Sequence, residues 1–136
     1  EIHERLVGSE MCIRDSPHPD VLAFAKSDPS FRFTLCRDPR QAAVGADVVF
    51  TDVWASMGQE EEKAIREKAF AGYQINRELM AETNPGCMVQ HCLPAHRGEE
   101  ITADVFEEHA EEIFDEAENR LHAQKAVMYL LMGGEE

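Results

Sequence analysis

A thiol stands beside an imidazole in the tetrapeptide His-Cys-Leu-Pro at positions 91–94, directly after an apolar run. The residue type leaves four interpretations of Cys92: a metal ligand, a nucleophile, a small core residue, or a group that touches a substrate without bonding to it. His91, Cys92 and His96 are poorly spaced for zinc, because adjacent strand residues point to opposite faces of a sheet. A nucleophilic pair of Cys92 and His96 lacks a recognisable third group to orient the imidazole.

Pro94 and Arg120 add possible ligand contacts. The proline ring fixes φ and removes the N–H, so the chain leaves the strand and the carbonyls of Cys92 and Leu93 can remain unpaired acceptors. Arg120, in Glu-Asn-Arg at 118–120, could offer two parallel N–H donors to a phosphate or carbonyl oxygen. A surface ion pair with Glu116 is an equally good interpretation of this arginine on its own.

A second polar segment, Asp-Val-Trp-Ala-Ser-Met-Gly at 52–58, has the groups needed to bind the head of an amino acid. The Asp52 carboxylate suits an ammonium, and Ser56 adds a hydroxyl. The backbone N–H of Met57 lies where the start of a helix would favour a carboxylate. The motif is weak by itself, because Ser56 also suits a helix N-cap and Asp52 a turn.

Strands and helices alternate along the chain after residue 17. Short apolar or alternating runs predict strands at 31–35, 46–53 and 87–92. Cap residues and breakers predict helices at 19–26, 38–43, 60–70, 77–82 and 116–132. Three-and-four spacing places five residues on one face of the last helix, namely Ala117, Leu121, Gln124, Met128 and Leu131. The alternation indicates an α/β layer with a parallel sheet.

The two polar segments each follow a predicted strand, one at 52–58 and the other at 91–98. Ligands of open parallel sheets bind beyond the carboxyl ends of the strands. We therefore expect both segments to contribute to one site.

Composition limits the classes of partner. The chain has 136 residues, and 27 acidic against 13 basic side chains give a net charge of −14. This charge repels nucleic acid and anionic membranes, so we expect neither as a partner. The longest apolar run, at 126–132, is too short to cross a bilayer. Four cysteines without a Cys-x-x-Cys pair and without a secretory segment favour reduced thiols in the cytoplasm.

Residues 1–16 differ from the rest, with mixed charge and no clear period or turn pattern. Residues 10–15 can be back-translated as GAG ATG TGT ATA AGA GAC, which looks like a transposon end used to prepare sequencing libraries. We expect residues 1–16 to be a foreign head and 17–136 to be part of one domain, so that Cys12 has no functional role.

Three motifs together resemble the ornithine carbamoyltransferases: Asp-Val-Trp-Ala-Ser-Met-Gly at 52–58, His-Cys-Leu-Pro at 91–94 and Glu-Asn-Arg at 118–120. They stand in the order and approximate spacing of that family, and the aspartate carbamoyltransferases lack the first two in this form. The resemblance implies an α/β fold with a partial doubly wound parallel sheet. It would be an incomplete Rossmann-like ornithine-binding domain with a long C-terminal helix.

The same resemblance implies an activity, the transfer of a carbamoyl group from carbamoyl phosphate to the δ-amine of L-ornithine. The products are citrulline and phosphate, the pathway is arginine biosynthesis, and neither a cofactor nor a metal is required. By position, Asp52 and Ser56 would bind the α-amino group of ornithine, and the N–H of Met57 its α-carboxylate.

The resemblance assigns three residues to the reacting groups. Cys92 would lie beside the δ-amine and help to orient and deprotonate it, as neither a covalent nucleophile nor a metal ligand. The Cys92 and Leu93 carbonyls would hold the carbamoyl NH₂, and Arg120 would bind carbamoyl phosphate. Family members assemble as homotrimers or larger oligomers through another domain.

That other domain, which carries a Ser-Thr-Arg-Thr phosphate loop and a His-Pro segment in the family, is not represented in the sequence. The opening strands of the ornithine domain, with an Asn that helps to bind ornithine, are missing too. We expect a C-terminal piece that is inactive alone and whose open sheet edge favours aggregation. Two other interpretations remain open: a carbamoyltransferase for a related amine such as acetylornithine, and a noncatalytic α/β module that binds an amino acid or serves as a scaffold. The set of Asp52, Ser56 and Met57 argues against putrescine, which has no α-carboxylate.

Overall fold

The computed structural model of the chain describes residues 19–27, 33–55 and 63–133. Helices and strands alternate within these ranges as an α/β fold. The elements in chain order are α1 (Pro19–Ser27), α2 (Pro39–Ala43), β1 (Val48–Thr51), α3 (Lys63–Phe70), α4 (Arg77–Met80), β2 (Met88–His91), α5 (Ala103–Glu108) and α6 (Ala110–Leu131).

The two strands form a parallel pair whose register runs from Val48 opposite Met88 to Thr51 opposite His91. Parallel neighbours need a crossover connection, and the chain between them contains α3 and α4. The predicted α/β class, with a parallel sheet and a long final helix, is confirmed.

Among the described residues, one face of this sheet is buried and the other is exposed. Val49, Val89 and His91 point into the core, whereas Val48 and Phe50 point the other way and are about half exposed. The strand predicted at 46–53 is confirmed over residues 48–51, and it is buried on one face. Successive side chains alternate between faces, and the uncovered face retains apolar residues.

Helix α6 begins at Ala110, earlier than the predicted position 116. Its first turns pack on β2, where Ile113 is fully buried and Glu112 accepts the backbone N–H of Val89 at 2.6 Å. The apolar face predicted for this helix is not buried, because its residues lie beyond the part that packs on the sheet. Leu121 is 64% exposed and Leu131 is 83% exposed.

Two predicted helix starts are confirmed by their caps. Asp38 accepts the N–H of Arg40 at 2.9 Å before α2, and Asn76 accepts the N–H of Leu79 at 3.0 Å before α4. These side chains satisfy N–H groups that have no partner inside the helix.

The remaining differences concern one strand and one helix. Residues 33–35 form no strand, since the alternating pattern there has no neighbouring strand in the described sheet, and 31–32 lie outside the described residues. Helix α5 was not predicted as a separate element, although Thr102 precedes it in N-cap position. The first residues of the helix predicted at 60–70 also lie outside the described ranges. No described helix has the length and apolar character needed to cross a membrane.

Candidate functional site

The strand register brings Asp52 and Cys92 together. Thr51 and His91 are the last paired residues of β1 and β2, so the next residue of each strand emerges at the same carboxyl edge. The side-chain donor atoms of Asp52, His91 and Cys92 all lie within 4.8 Å of one another. Two residues that are forty positions apart in the sequence thus share one edge of the sheet, as the sequence predicted.

Cys92 is half-buried, and its thiol holds its proton tightly. Burial contributes most to this, followed by a hydrogen bond to the Asp52 carboxylate and the charge of that carboxylate. Together these raise the pKa of Cys92 from 9.0 to about 11, although the positive charge of Arg120 opposes the shift. The residue is therefore a neutral thiol near pH 7 and not a thiolate nucleophile.

Arg120 reaches the same place from α6. Its Nη1 donates a hydrogen bond of 2.7 Å to the backbone carbonyl oxygen of Cys92. A guanidinium carries five N–H donors in a fixed plane, so this contact uses one edge of a group that can also bind an anion. The contact gives the arginine a defined position beside the thiol.

A buried pair supports the backbone of the loop after β2. Nδ1 of His91 accepts the backbone N–H of Leu93 at 2.9 Å, so the ring proton lies on Nε2. Nε2 then donates to Oε1 of Glu100 at 3.0 Å, and both side chains are fully buried. The backbone N–H of His96 donates to the same oxygen at 2.6 Å.

These hydrogen bonds hold an unusual backbone. Leu93 has a φ of +52°, in the left-handed region that a branched side chain seldom occupies, and the Leu93–Pro94 peptide bond is cis. Sequence analysis predicted the turn from Pro94 but missed His91 and Glu100 as its supports. No local pattern indicates that a glutamate nine residues after a strand returns to the histidine at the end of that strand.

The predicted site residues therefore fall into two groups. Asp52, Cys92 and Arg120 come together, with Leu93 next to them in the loop. Ser56 and Met57 lie outside the described residues. Their roles stay predictions.

Sequence analysis argued against a metal ligand role for His91 and Cys92 because adjacent strand residues point to opposite faces of a sheet. The geometry does not support that argument. Cys92 lies beyond the last residue of β2, so its side chain does not follow the strand alternation and its donor atom lies near that of His91. His96 belongs to a different group of side chains, with Glu99 and Glu100.

Comparison with known proteins shows the same family that the motifs resemble. A family model described as "Aspartate/ornithine carbamoyltransferase, Asp/Orn binding domain" matches residues 10–131. The match includes part of the head that we expect to be foreign, and the boundary after residue 16 stays a prediction.

Individual proteins that match the chain are named as members of the same family. The ornithine carbamoyltransferase of Thermococcus kodakarensis is 52% identical over 121 residues, which cover 87% of this chain and 38% of that protein. That of Syntrophotalea carbinolica is 57% identical over 116 residues, which cover 85% of this chain and 38% of that protein. The crystal structure of anabolic ornithine carbamoyltransferase from Campylobacter jejuni gives a TM-score of 0.81 at 37% identity, covering 88% of this chain and 41% of that one.

The chain thus spans about two fifths of the length of the relatives that it matches. The family model covers most of the chain itself, and the predicted resemblance is confirmed. The chain belongs to the aspartate/ornithine carbamoyltransferase family, in the region of its Asp/Orn-binding domain.

Proposed function

We propose that this chain is the ornithine-binding part of an ornithine carbamoyltransferase. The enzyme would transfer the carbamoyl group of carbamoyl phosphate to the δ-amine of L-ornithine, giving L-citrulline and phosphate. The observation that carries the proposal is the meeting of Asp52 and Cys92 at adjacent strand ends, with Arg120 bonded to the Cys92 carbonyl. Relatives that share about half of this sequence bear the same name.

The ornithine head would bind on the β1 side of the site. Asp52 supplies the negative charge for the α-ammonium, aided by the Ser56 hydroxyl, and the N–H of Met57 would receive the α-carboxylate. Asp52 is partly buried, so a salt bridge there would be stronger than one on the open surface.

The reaction needs a free lone pair on the δ-amine. The nitrogen attacks the carbamoyl carbon, a tetrahedral intermediate forms, the bond from that carbon to the phosphate oxygen breaks, and the nitrogen loses a proton. Arg120 would stabilise negative charge on carbamoyl phosphate, and the carbonyls of Cys92 and Leu93 would accept from its NH₂ group. The reacting atoms are thereby oriented before bonds change.

The pKa of Cys92 links the binding of the ornithine head at Asp52 to the loss of a proton from the δ-amine. The Asp52 carboxylate helps to keep the thiol protonated. An α-ammonium bound to Asp52 would offset that negative charge and lower the pKa of Cys92. A larger fraction of Cys92 would then be thiolate, which is the form that can accept a proton from the δ-nitrogen once ornithine is in place.

Assembly and location follow from the same proposal. We expect the whole enzyme to be a cytoplasmic homotrimer or larger oligomer, and the present chain to be inactive without the domain that binds phosphate. In the scheme that the resemblance implies, that domain carries the phosphate loop and the His-Pro segment that contact carbamoyl phosphate.

Binding of L-ornithine tests the proposal. Calorimetry should give saturable binding to the 136-residue chain, and hydrogen exchange should slow around residues 52–55 and 91–95. Asp52→Asn should weaken binding at least tenfold, since it removes the charge that faces the α-ammonium. The exposed Asp115→Asn variant is the matched control and should bind as the parent chain does.

Two results would contradict the proposal. Absence of any saturable binding of L-ornithine would favour a scaffold role. Tighter binding of N-acetyl-L-ornithine, which has no α-ammonium, would indicate a transferase for that amine instead.

A further inference from the structure

The loop between β2 and α5 carries a second cluster of side chains that can bind a metal, separate from Asp52 and Cys92. One ligand atom from each of His96, Glu99 and Glu100 lies within 4.8 Å of the other two. An imidazole nitrogen and two carboxylate oxygens form a donor set that first-row divalent ions accept.

Glu100 gives an independent sign that a partner belongs in this cluster. Its side chain is fully buried, and Oε1 accepts from Nε2 of His91 and from the backbone N–H of His96. Oε2 is also inaccessible to solvent, yet it accepts no hydrogen bond from the described residues. A buried carboxylate oxygen without a partner is costly, and native structures rarely retain one.

Glu99 shows the same imbalance between its two oxygens. Nζ of Lys63 donates to Oε1 at 2.9 Å, while Oε2 is inaccessible and accepts no hydrogen bond from the described residues. Nδ1 of His96 lies 3.5 Å from Oε2, which is longer than a normal N–H···O hydrogen bond. A single cation between these groups would satisfy all of them.

The backbone around the cluster is already held in place. Nε2 of Gln74 donates to the carbonyls of Gly98 and Glu99 at 3.0 and 2.7 Å, and the N–H of Gly98 donates to the carbonyl of Ile101 at 2.8 Å. A site whose supporting backbone is fixed loses little conformational entropy when an ion binds.

We propose that His96, Glu99 and Glu100 bind one divalent transition-metal ion, with water in the remaining coordination positions. The ion fixes the loop that follows Pro94 and takes no part in carbamoyl transfer. Glu100 also contacts His91, so the ion supports the backbone of the neighbouring loop indirectly.

Mn²⁺ is the appropriate probe, because imidazole and carboxylate ligands accept it while soft thiol ligands such as Cys92 favour other ions. The full chain is stripped with a chelator and titrated with Mn²⁺, and free ion is followed by electron paramagnetic resonance. We expect saturation at one ion per chain. His96→Gln and Glu99→Gln should each weaken binding by about tenfold or more, since each removes one ligand.

A matched control is available in His122. It is exposed and lies 3.1 Å from Glu118, so it repeats the histidine–glutamate pairing without the buried oxygens. His122→Gln should leave the affinity for Mn²⁺ unchanged, and circular dichroism should show that all three variants remain folded.

Three outcomes would overturn the inference. The first is a titration in which Mn²⁺ does not saturate a defined site, and the second is a loss of affinity in His122→Gln equal to that in His96→Gln. Binding that survives the His96 and Glu99 variants but is lost in Cys92→Ser would place the ion at Asp52, His91 and Cys92 instead.

Discussion

Nη1 of Arg120 donates a hydrogen bond of 2.7 Å to the carbonyl oxygen of Cys92, and this contact joins α6 to the carboxyl end of β2. A charged donor that holds a backbone carbonyl fixes both groups relative to each other. The guanidinium of Arg120 and the backbone of Cys92 therefore hold defined positions relative to each other.

Removal of this contact should loosen the loop after β2. Arg120→Ala should speed amide exchange within residues 92–96 about fivefold, which corresponds to about 1 kcal/mol for an exposed hydrogen bond from a charged group. Hydrogen exchange with mass spectrometry measures this change. Lys125→Ala, an exposed cation of the same helix, should leave the loop unchanged, and equal effects of the two variants would contradict the structural role of Arg120.

The reactivity of Cys92 should depend on pH in a way that reflects Asp52. A pKa of about 11 in place of 9.0 lowers the thiolate fraction about a hundredfold at pH 7 to 8, so alkylation by iodoacetamide should be slow. Asp52→Asn removes the carboxylate but not the burial, so the pKa should fall part of the way and the rate at pH 8 should rise.

The measurement uses a chain whose other cysteines are replaced by serine, with unfolded chain in denaturant as the reference. A rate equal to that of the unfolded chain would show that the thiol is not shifted. An alkylation rate that is the same in Asp52→Asn and in the parent chain would show that burial alone causes the pKa shift.

The buried pair of His91 and Glu100 should contribute strongly to stability. Glu100→Ala leaves Nε2 of His91 and the N–H of His96 without an acceptor, so the free energy of unfolding should fall by about 3 kcal/mol. Urea denaturation in metal-free buffer measures it. The exposed Asp115→Ala should change stability by less than about 0.5 kcal/mol, and a similarly small loss in Glu100→Ala would contradict the buried pair.

Replacement of a large side chain by alanine should affect stability differently at the two ends of α6. Ile113 is fully buried against the sheet, so Ile113→Ala should cost about 2 to 5 kcal/mol of stability. Leu131 is mostly exposed, so Leu131→Ala should cost less than about 0.5 kcal/mol. Denaturation of both variants provides the comparison. A large loss in the Leu131 variant would mean that the end of the helix is packed after all.

Much of the site could be predicted from sequence because it follows from parallel strand geometry. Asp52 and Cys92 each come directly after a strand, and parallel strands end at the same edge, so their proximity needed no knowledge of distant contacts. The caps Asp38 and Asn76 were predictable for a similar reason, since a cap depends on its own helix.

The remaining features depend on packing that local patterns do not encode. The spacing of Leu121 and Leu131 indicates an apolar helix face, but whether that face is covered depends on what lies beside it. In the sequence, Glu100 is not distinguishable from the other acidic residues of a charged loop. Its burial depends on the path of the chain around His91.

Citrulline formation by a chimeric enzyme tests the central claim most directly. Residues 17–136 would replace the matching part of the Thermococcus kodakarensis ornithine carbamoyltransferase, to which the chain is 52% identical. The account predicts that the folded chimera makes citrulline from carbamoyl phosphate and L-ornithine, that Asp52→Asn removes most of this activity and that Asp115→Asn retains it. A folded chimera that forms no citrulline, or one whose activity is unaffected by Asp52→Asn, would contradict it.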